Sequence, residues 1–389
     1  MKLELTEEQK QIQDTARQFA RDVLAPVAAR QDENPDDLNN NKIFLHNIKK
    51  LAELGFMGLN IKSQYGGSEA GVVAFSVAVT EIARACAATA VTLSVTNMVA
   101  EVIQAIGNEE QKQTYLPKLC SGKYAAGGFG LTEPSAGSDP SRMKTRATRE
   151  GDYWILNGNK IYITSGSYAG VFVVWAVTDA NAAPGKGISC FLVEADTPGL
   201  TIGKAENKMG QRASHTNALF FDHCKIPAAA LLGKENDGYR VAVGELAGGR
   251  IGIGSLALGI GLAAMDYARQ YMTEREQFGQ KISNFQALQF MLADRYTELE
   301  AARLLLMQAA YDKEQGKPFG KQASMAKVFA TEKANDACYS ALQMLGGNGY
   351  IKEYPLERYT RDVRITSIYE GSSEIQRVII ARDLLREIP

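Results

Sequence analysis

The chain has 389 residues, 45% hydrophobic and 22% charged, and 43 Lys and Arg against 44 Asp and Glu leave a formal net charge of -1. That length exceeds what one hydrophobic core usually organises, so two or three domains are expected. The balanced charge excludes the basic face of a nucleic-acid or membrane-surface binder and leaves room for local basic patches against a phosphate-bearing ligand.

The first third reads as helix. Thr6-Glu7-Glu8-Gln9 carries the hydroxyl and amide of a capping box, and behind it Ile12, Ala16, Phe19, Ala20 and Val23 recur at helical spacing. Further helices are predicted around 41–54, 71–87 and 89–106, with breaks at Tyr65-Gly66-Gly67 and Gly107-Asn108. The middle third changes period. Runs at 153–156 and 160–163 flank Asn157-Gly158, a hairpin signal because both residues tolerate positive φ. More strands are predicted over 171–177, 188–194 and 218–221, with turns at Pro184-Gly185 and Thr197-Pro198-Gly199. The last third returns to helix over 238–247, 250–273, 284–314, 321–345 and 373–386, the pattern of a four-helix bundle.

Cys86, Cys120, Cys190, Cys224 and Cys338 are widely spaced and include no C-x-x-C pair, so reduced, buried thiols are expected. His46, His215 and His223 form no metal-ligand pattern, and no metal is expected. The start, Met1-Lys2-Leu3-Glu4-Leu5-Thr6, has neither an apolar signal core nor an Arg-rich leader, which points to a cytoplasmic protein. No uninterrupted apolar run reaches the length of a membrane span; the stretch 251–264 is glycine-rich and too short.

There is no Walker A sequence. Gly252-x-Gly254-x-x-Ala257 mimics a dinucleotide fingerprint, but no strand precedes it, and its small residues read as close helix packing. Five other segments carry chemistry, each beside a plainer reading. The segment 130–139, Gly-Leu-Thr-Glu-Pro-Ser-Ala-Gly-Ser-Asp, is either a tight loop or a turn that brings backbone N–H groups to a ligand. The segment 161–166 sets Thr164 on a strand, where Thr is usually a β-former. Arg275, within 274–279, either clamps a phosphate or complements a helix dipole. The segment 343–350 reads as a helix end and a loop. In 368–377, Glu370 stands between Tyr369 and Gly371 just before a helix; burial there would raise its pKa toward that of a useful base.

Taken in order and at these intervals, the five segments resemble the acyl-CoA dehydrogenase family over nearly the whole chain. The resemblance implies an α+β multidomain fold: an N-terminal all-α domain (1–119), a middle β-barrel or sandwich domain (120–232) and a C-terminal four-helix bundle (233–389). FAD would lie between the last two. It further implies that Phe129, Leu131 and Thr132 face the isoalloxazine ring, with Tyr162 and Thr164 on its other side. Many relatives have Trp where this chain has Tyr162. Arg275, Phe278, Gln286, Gln343 and Gly347 would hold the pyrophosphate and adenine parts of FAD in a neighbouring subunit. Ser372 and Glu374 match flavin contacts, although many relatives carry Gln at the latter. Ser138 is expected on both the cofactor and substrate sides; Arg250, Tyr369 and Gly371 match substrate-side positions.

By the same resemblance Glu370 is the base that removes the α-proton of an acyl-CoA while the β-hydride leaves to the flavin. The expected product is a trans-2-enoyl-CoA. The expected partners are an electron-transferring flavoprotein and three further copies in a homotetramer, with no nucleic acid and no membrane. Some relatives place the base near Gly249, where this chain has no side chain. The stretch 87–100 holds no Lys or Arg, which disfavours a dicarboxylic substrate; Val91, Leu93, Val95 and Met98 suit an apolar tail or ordinary helix packing. Tyr369 would narrow the pocket toward unbranched chains. The chain ends soon after its last helix, so no membrane-associating extension is expected. Two alternatives stand beside this reading: an enoyl-CoA reductase and a catalytically idle scaffold.

Overall fold

Thr6 opens the first helix as its sequence promises. Its hydroxyl accepts from the Gln9 N–H at 3.2 Å, and the Gln9 side chain accepts from the Thr6 N–H at 3.0 Å. The computed structural model describes residues 4–386. Helix α1 (Glu7–Phe19) passes through one widened turn into α2 (Ala25–Glu33), and α3 (Leu38–Glu53) starts from an Asp37 cap. The apolar run that follows divides at Cys86, whose backbone is extended, into α4 (Val72–Ala85) and α5 (Ala87–Ile106). A second capping box, Asn108 with Gln111, starts α6 (Glu109–Cys120).

Helix α5 is buried on all sides over most of its length, its small polar residues such as Thr92 and Asn97 included. Val91, Leu93, Val95 and Met98 join the helical core, whereas Val99, Val102 and Ile103 pack with the sheet. One helix therefore joins two cores.

The strands are β1 (Ala126–Gly130), β2 (Arg146–Glu150), β3 (Tyr153–Thr164), β4 (Ala169–Val177), β5 (Ile188–Glu194), β6 (Leu200–Ile202), β7 (Thr216–Pro227) and β8 (Leu231–Leu232). Their order is β6-β7-β3-β2-β4-β5-β8, with β1 paired to β4. A single residue pair, Arg146 with Val177, links β2 to β4. The two halves hinge there and close over Trp154, Leu156, Phe172, Val174, Phe191 and Phe221, a sandwich core. On β4 these positions alternate with Val171, Val173 and Trp175, which pack against α5 and α6.

Asn157-Gly158 is not a hairpin. β3 runs straight through it, and its register against β7 shifts between Leu156 and Gly158. The pair marks a bulge, which also needs an unusual backbone. Gly158 has φ +141°, and a Cβ there would lie 2.7 Å from the Thr145 Cα. The hairpin turn is Gly151-Asp152, between Glu150 and its partner Tyr153.

The two predicted helices over 238–273 are one, α7 (Gly238–Glu274), of 37 residues. Its glycines do not break it, and all but Gly244 mark places where a neighbour comes close; a Cβ on Gly252 would lie 2.2 Å from Ser94 Oγ. The dinucleotide-like spacing is thus helix packing. A small hairpin, β9 (Glu276–Gln277) and β10 (Gln280–Lys281), follows. Then come α8 (Gln286–Glu314), α9 (Gly320–Met344), α10 (Leu356–Arg364) and α11 (Ser373–Arg386). Helices α7, α8 and α9 pack on one another and α11 lies along α9, while α4 and α5 press on α7. The first and last thirds consequently share one hydrophobic core.

No uninterrupted apolar run reaches the length of a span, since residues such as Asn97 and Arg250 interrupt the apolar stretches. Ala87–Ile106 and Gly238–Glu274 nevertheless have the length and mean hydropathy of one, and their most apolar windows are 78% and 83% buried inside the fold, as core helices.

Candidate active site

Two consecutive residues between α10 and α11 have left-handed backbones, Glu370 at φ +50° and Gly371 at φ +88°. For a glutamate that conformation costs about 1–2 kcal/mol, so its surroundings must impose it. They do so through carbonyls. Gly371 O accepts from Lys327 Nζ of α9 and from Gln376 Nε2 of α11, both at 2.8 Å. Gln376 Nε2 also reaches Glu370 O at 3.3 Å. On the other side the Gln211 amide donates to the Tyr369 hydroxyl at 3.3 Å. Gln211 is itself pinned to the buried Asp362, through its backbone N–H to the carboxylate and its side chain to the carbonyl.

The Glu370 carboxylate points at α7. Its Oε2 is buried with no hydrogen-bond partner. A Cβ on Gly249 would lie 2.3 Å from that oxygen and 2.7 Å from Met98 Sδ. The carboxylate itself therefore occupies the space that a side chain at 249 would need. Burial pushes the Glu370 pKa up to about 7, against the opposing charges of Lys327 and Arg250. Arg250 is buried too; its Nη1 donates to Ser324 Oγ at 3.2 Å, and its Nε has no partner. Val91, Leu93 and Val95 lie in the helical core, and Met98 is the member of that group that borders Glu370.

A second group assembles where β1 leaves the sheet. The register of β3 against β7 slips between Lys160 and Ile163, and Tyr162 takes φ +58°. The Ile161 N–H turns to Thr132 O, at 2.9 Å. This bulge brings the predicted segments at 130–139 and 161–166 side by side. Tyr162 is 65% exposed, and Phe129 lies 4.4 Å from Trp175, ring to ring. Neither the Thr132 nor the Thr164 hydroxyl is bonded within the chain among the described residues. Beneath them a fully buried Lys160 donates to Glu133 Oε1 at 2.7 Å and to Leu131 O at 3.2 Å. Glu133 also accepts from the N–H groups of Lys144 at 2.5 Å and Thr145 at 3.0 Å. Accessible hydroxyls free of intrachain partners and an open aromatic ring over a braced backbone fit a planar, heteroatom-rich ligand such as an isoalloxazine.

The remaining expected residues lie elsewhere. Arg275 is roughly 25 residues beyond Arg250 on the line of α7, or roughly 37 Å at the helical rise. Gln343 is roughly 24 Å beyond Lys327 along α9. Phe278, 93% exposed, and Gln286 stand on the surface near Arg275. Asn348 bonds Tyr271 at 2.9 Å and ties the Gly347 loop to that end of α7. Ser138 is exposed in its loop. Ser372 and Glu374 start α11, where the Ser372 hydroxyl holds the Glu374 carboxyl below the usual range.

Sequence reasoning passed over Glu133, Lys160, Gln211, Lys327 and Asp362. Two of them carried a signal. Lys160 interrupts a strand pattern, and Lys327 falls on the stripe of Ala323, Ala330 and Ala334 that faces the core.

Three family models cover the chain: acyl-CoA dehydrogenase N-terminal domain over 6–123, middle domain over 128–224 and C-terminal domain over 236–385. The acryloyl-CoA reductase (NADH) of Anaerotignum propionicum is 44% identical, covering 99% of this chain and 96% of its own. Butyryl-CoA dehydrogenase from Megasphaera elsdenii superposes with a TM-score of 0.95 at 40% identity, over 99% of this chain and 100% of its own. A chain from structural work on the electron transferring flavoprotein of Acidaminococcus fermentans gives a TM-score of 0.96 at 44% identity, over 100% of both chains. This chain belongs to the acyl-CoA dehydrogenase family. It is a flavin-dependent oxidoreductase with FAD as its cofactor.

Proposed function

We propose that this protein dehydrogenates a short-chain acyl-CoA at its α and β carbons to give the trans-2-enoyl-CoA, with Glu370 as the base. The observation that carries the reading is the half-buried Glu370 carboxylate, its Oε2 buried and unpartnered over Gly249, with a pKa raised to about 7. A carboxylate with that pKa is half ionised near neutrality and strong enough to take a proton from an activated α-carbon. Arg250 and Lys327 offset the charge it carries before the transfer. The Glu370 backbone N–H is the donor for the thioester oxygen as negative charge develops there. FAD, when bound, supplies the hydride acceptor.

Phe129, Leu131, Thr132, Ser138, Tyr162, Thr164, Ser372 and Glu374 would hold the flavin end; Ser138, Arg250, Tyr369 and Gly371 would hold the substrate. Arg275, Phe278, Gln286, Gln343 and Gly347 lie too far along α7 and α9 to share that end, and would serve the FAD of a second copy. That division supports association with at least one further copy, as a homotetramer would provide. The flavoprotein-associated neighbour supports an electron-transferring flavoprotein as acceptor. Butyryl-CoA dehydrogenase supports the short chain. Five free, buried cysteines suit the reducing cytoplasm. Enoyl-CoA reduction would use the same residues, and no feature of the site favours it.

The test is a panel of acyl-CoA chains with an artificial electron acceptor. Wild type should turn over the C4 substrate best. Glu370→Gln should retain its flavin absorbance and lose about 10²–10⁴-fold in turnover. Wild-type turnover in that variant would remove Glu370 from the role of base.

A further inference from the structure

Lys327 has entered so far only as one of two cations opposing the Glu370 charge, yet it is among the largest fully buried side chains of the molecule, at 0% exposure. Around it on α9, Ala323, Ala326, Ala330 and Ala334 are all buried. An ammonium set into such a surface is costly unless something compensates it. Its hydrogen bond runs to a neutral group, Gly371 O at 2.8 Å, and among the described residues it makes no direct ion pair. A neutral amide could make that bond, as the Gln376 side chain already does on the same oxygen. The positive charge therefore needs a second reason. The buried carboxylate on the adjoining residue supplies one, since Glu370 also lacks a direct partner.

We infer that Lys327 is a positioning residue for proton abstraction: its N–H fixes the left-handed Glu370-Gly371 turn, and its charge keeps the buried carboxylate ionised and ready. This rests on the reading of Glu370 as the base. Lys327 acts among other charges. Arg250 faces the carboxylate from α7 and the Tyr369 phenol from the turn itself. Behind them Glu332 and Glu374 act on Lys327, while Arg382 and Asp383 act on Arg250. Burial brings the Lys327 pKa down to about 8 while Glu370 opposes that shift, so the ammonium remains the main form at neutral pH.

The experiment compares kcat/KM against pH for FAD-loaded wild type, Lys327→Gln and Lys327→Met, with Glu370→Gln alongside. Lys327→Gln keeps a donor and loses the charge. Its acid limb should move up by about one pH unit, a roughly tenfold loss below the limb and little loss well above it. Lys327→Met loses the donor as well and should add a fall in kcat at every pH, with KM little changed. An acid limb unmoved in Lys327→Gln overturns the proposal, as does a Lys327→Met plateau equal to that of Lys327→Gln. Failure of both variants to fold or to hold FAD assigns Lys327 a purely structural role and overturns it too. Activity in Glu370→Gln defeats the assignment of the base instead, so the two failures are told apart.

Discussion

Gly249 and Glu370 are read as one unit at the scale of single residues. In the sequence, Glu370 is a carboxylate at the start of a helix, and nothing local raises it above that. Its left-handed backbone, its burial and its pKa near 7 come from α7, α9 and α11 closing round it. Gly249, legible only as a missing side chain, turns out to be the space that carboxylate needs. On an exposed helix Gly→Ala would be stabilising by about 1 kcal/mol. Here the new Cβ would stand 2.3 Å from Glu370 Oε2, the movable end of a side chain. Gly249→Ala should therefore change the melting temperature little and cut kcat/KM by about 10²-fold, because small displacements of a reacting group are that costly. Flavin content and melting temperature measured beside kcat/KM decide it, and unchanged kcat/KM would show that the carboxylate does not need that position.

Elements carry the second half of the site. The period of 160–163 predicts a strand but not the slip that turns the Ile161 N–H to Thr132 O. That slip, rather than strand propensity, brings the two flavin-side segments together. The same strand shows why Asn157-Gly158 misleads: positive φ serves a bulge as well as a turn, and only strand pairing chooses between them. Lys160 and Glu133 brace the loop from below. Removing one partner leaves the other charge buried, which costs about 3–5 kcal/mol. Lys160→Met should lose about that much in urea unfolding and release its flavin more readily. Replacing both, Lys160→Met with Glu133→Gln, should recover part of the loss. A Lys160→Met protein as stable as wild type would mean that the pair holds nothing in place.

On the scale of the whole molecule, the helical first and last thirds form one core that runs from Ala16 to Val363. Arg361 adds a tie by bonding Asp32 of α2 at 2.6 Å. Amides of α4, α7 and α9 should consequently exchange hydrogen through a common opening of similar free energy. A sub-global opening of α4 several kcal/mol below that of α9 would contradict the shared core. Periodicity by itself determined the order of helical, β and helical thirds, since hydrophobic spacing is local. The ordered motifs determined the family and with it the cofactor. Tertiary structure alone decided that α7 is continuous, that glycines mark close approach and that the sheet hinges between β2 and β4. It also decided that a lysine on an alanine stripe ends beside Glu370. Each of these depends on what another part of the chain places against a residue, and burial, charge pairing and strand register exist only once those parts have met.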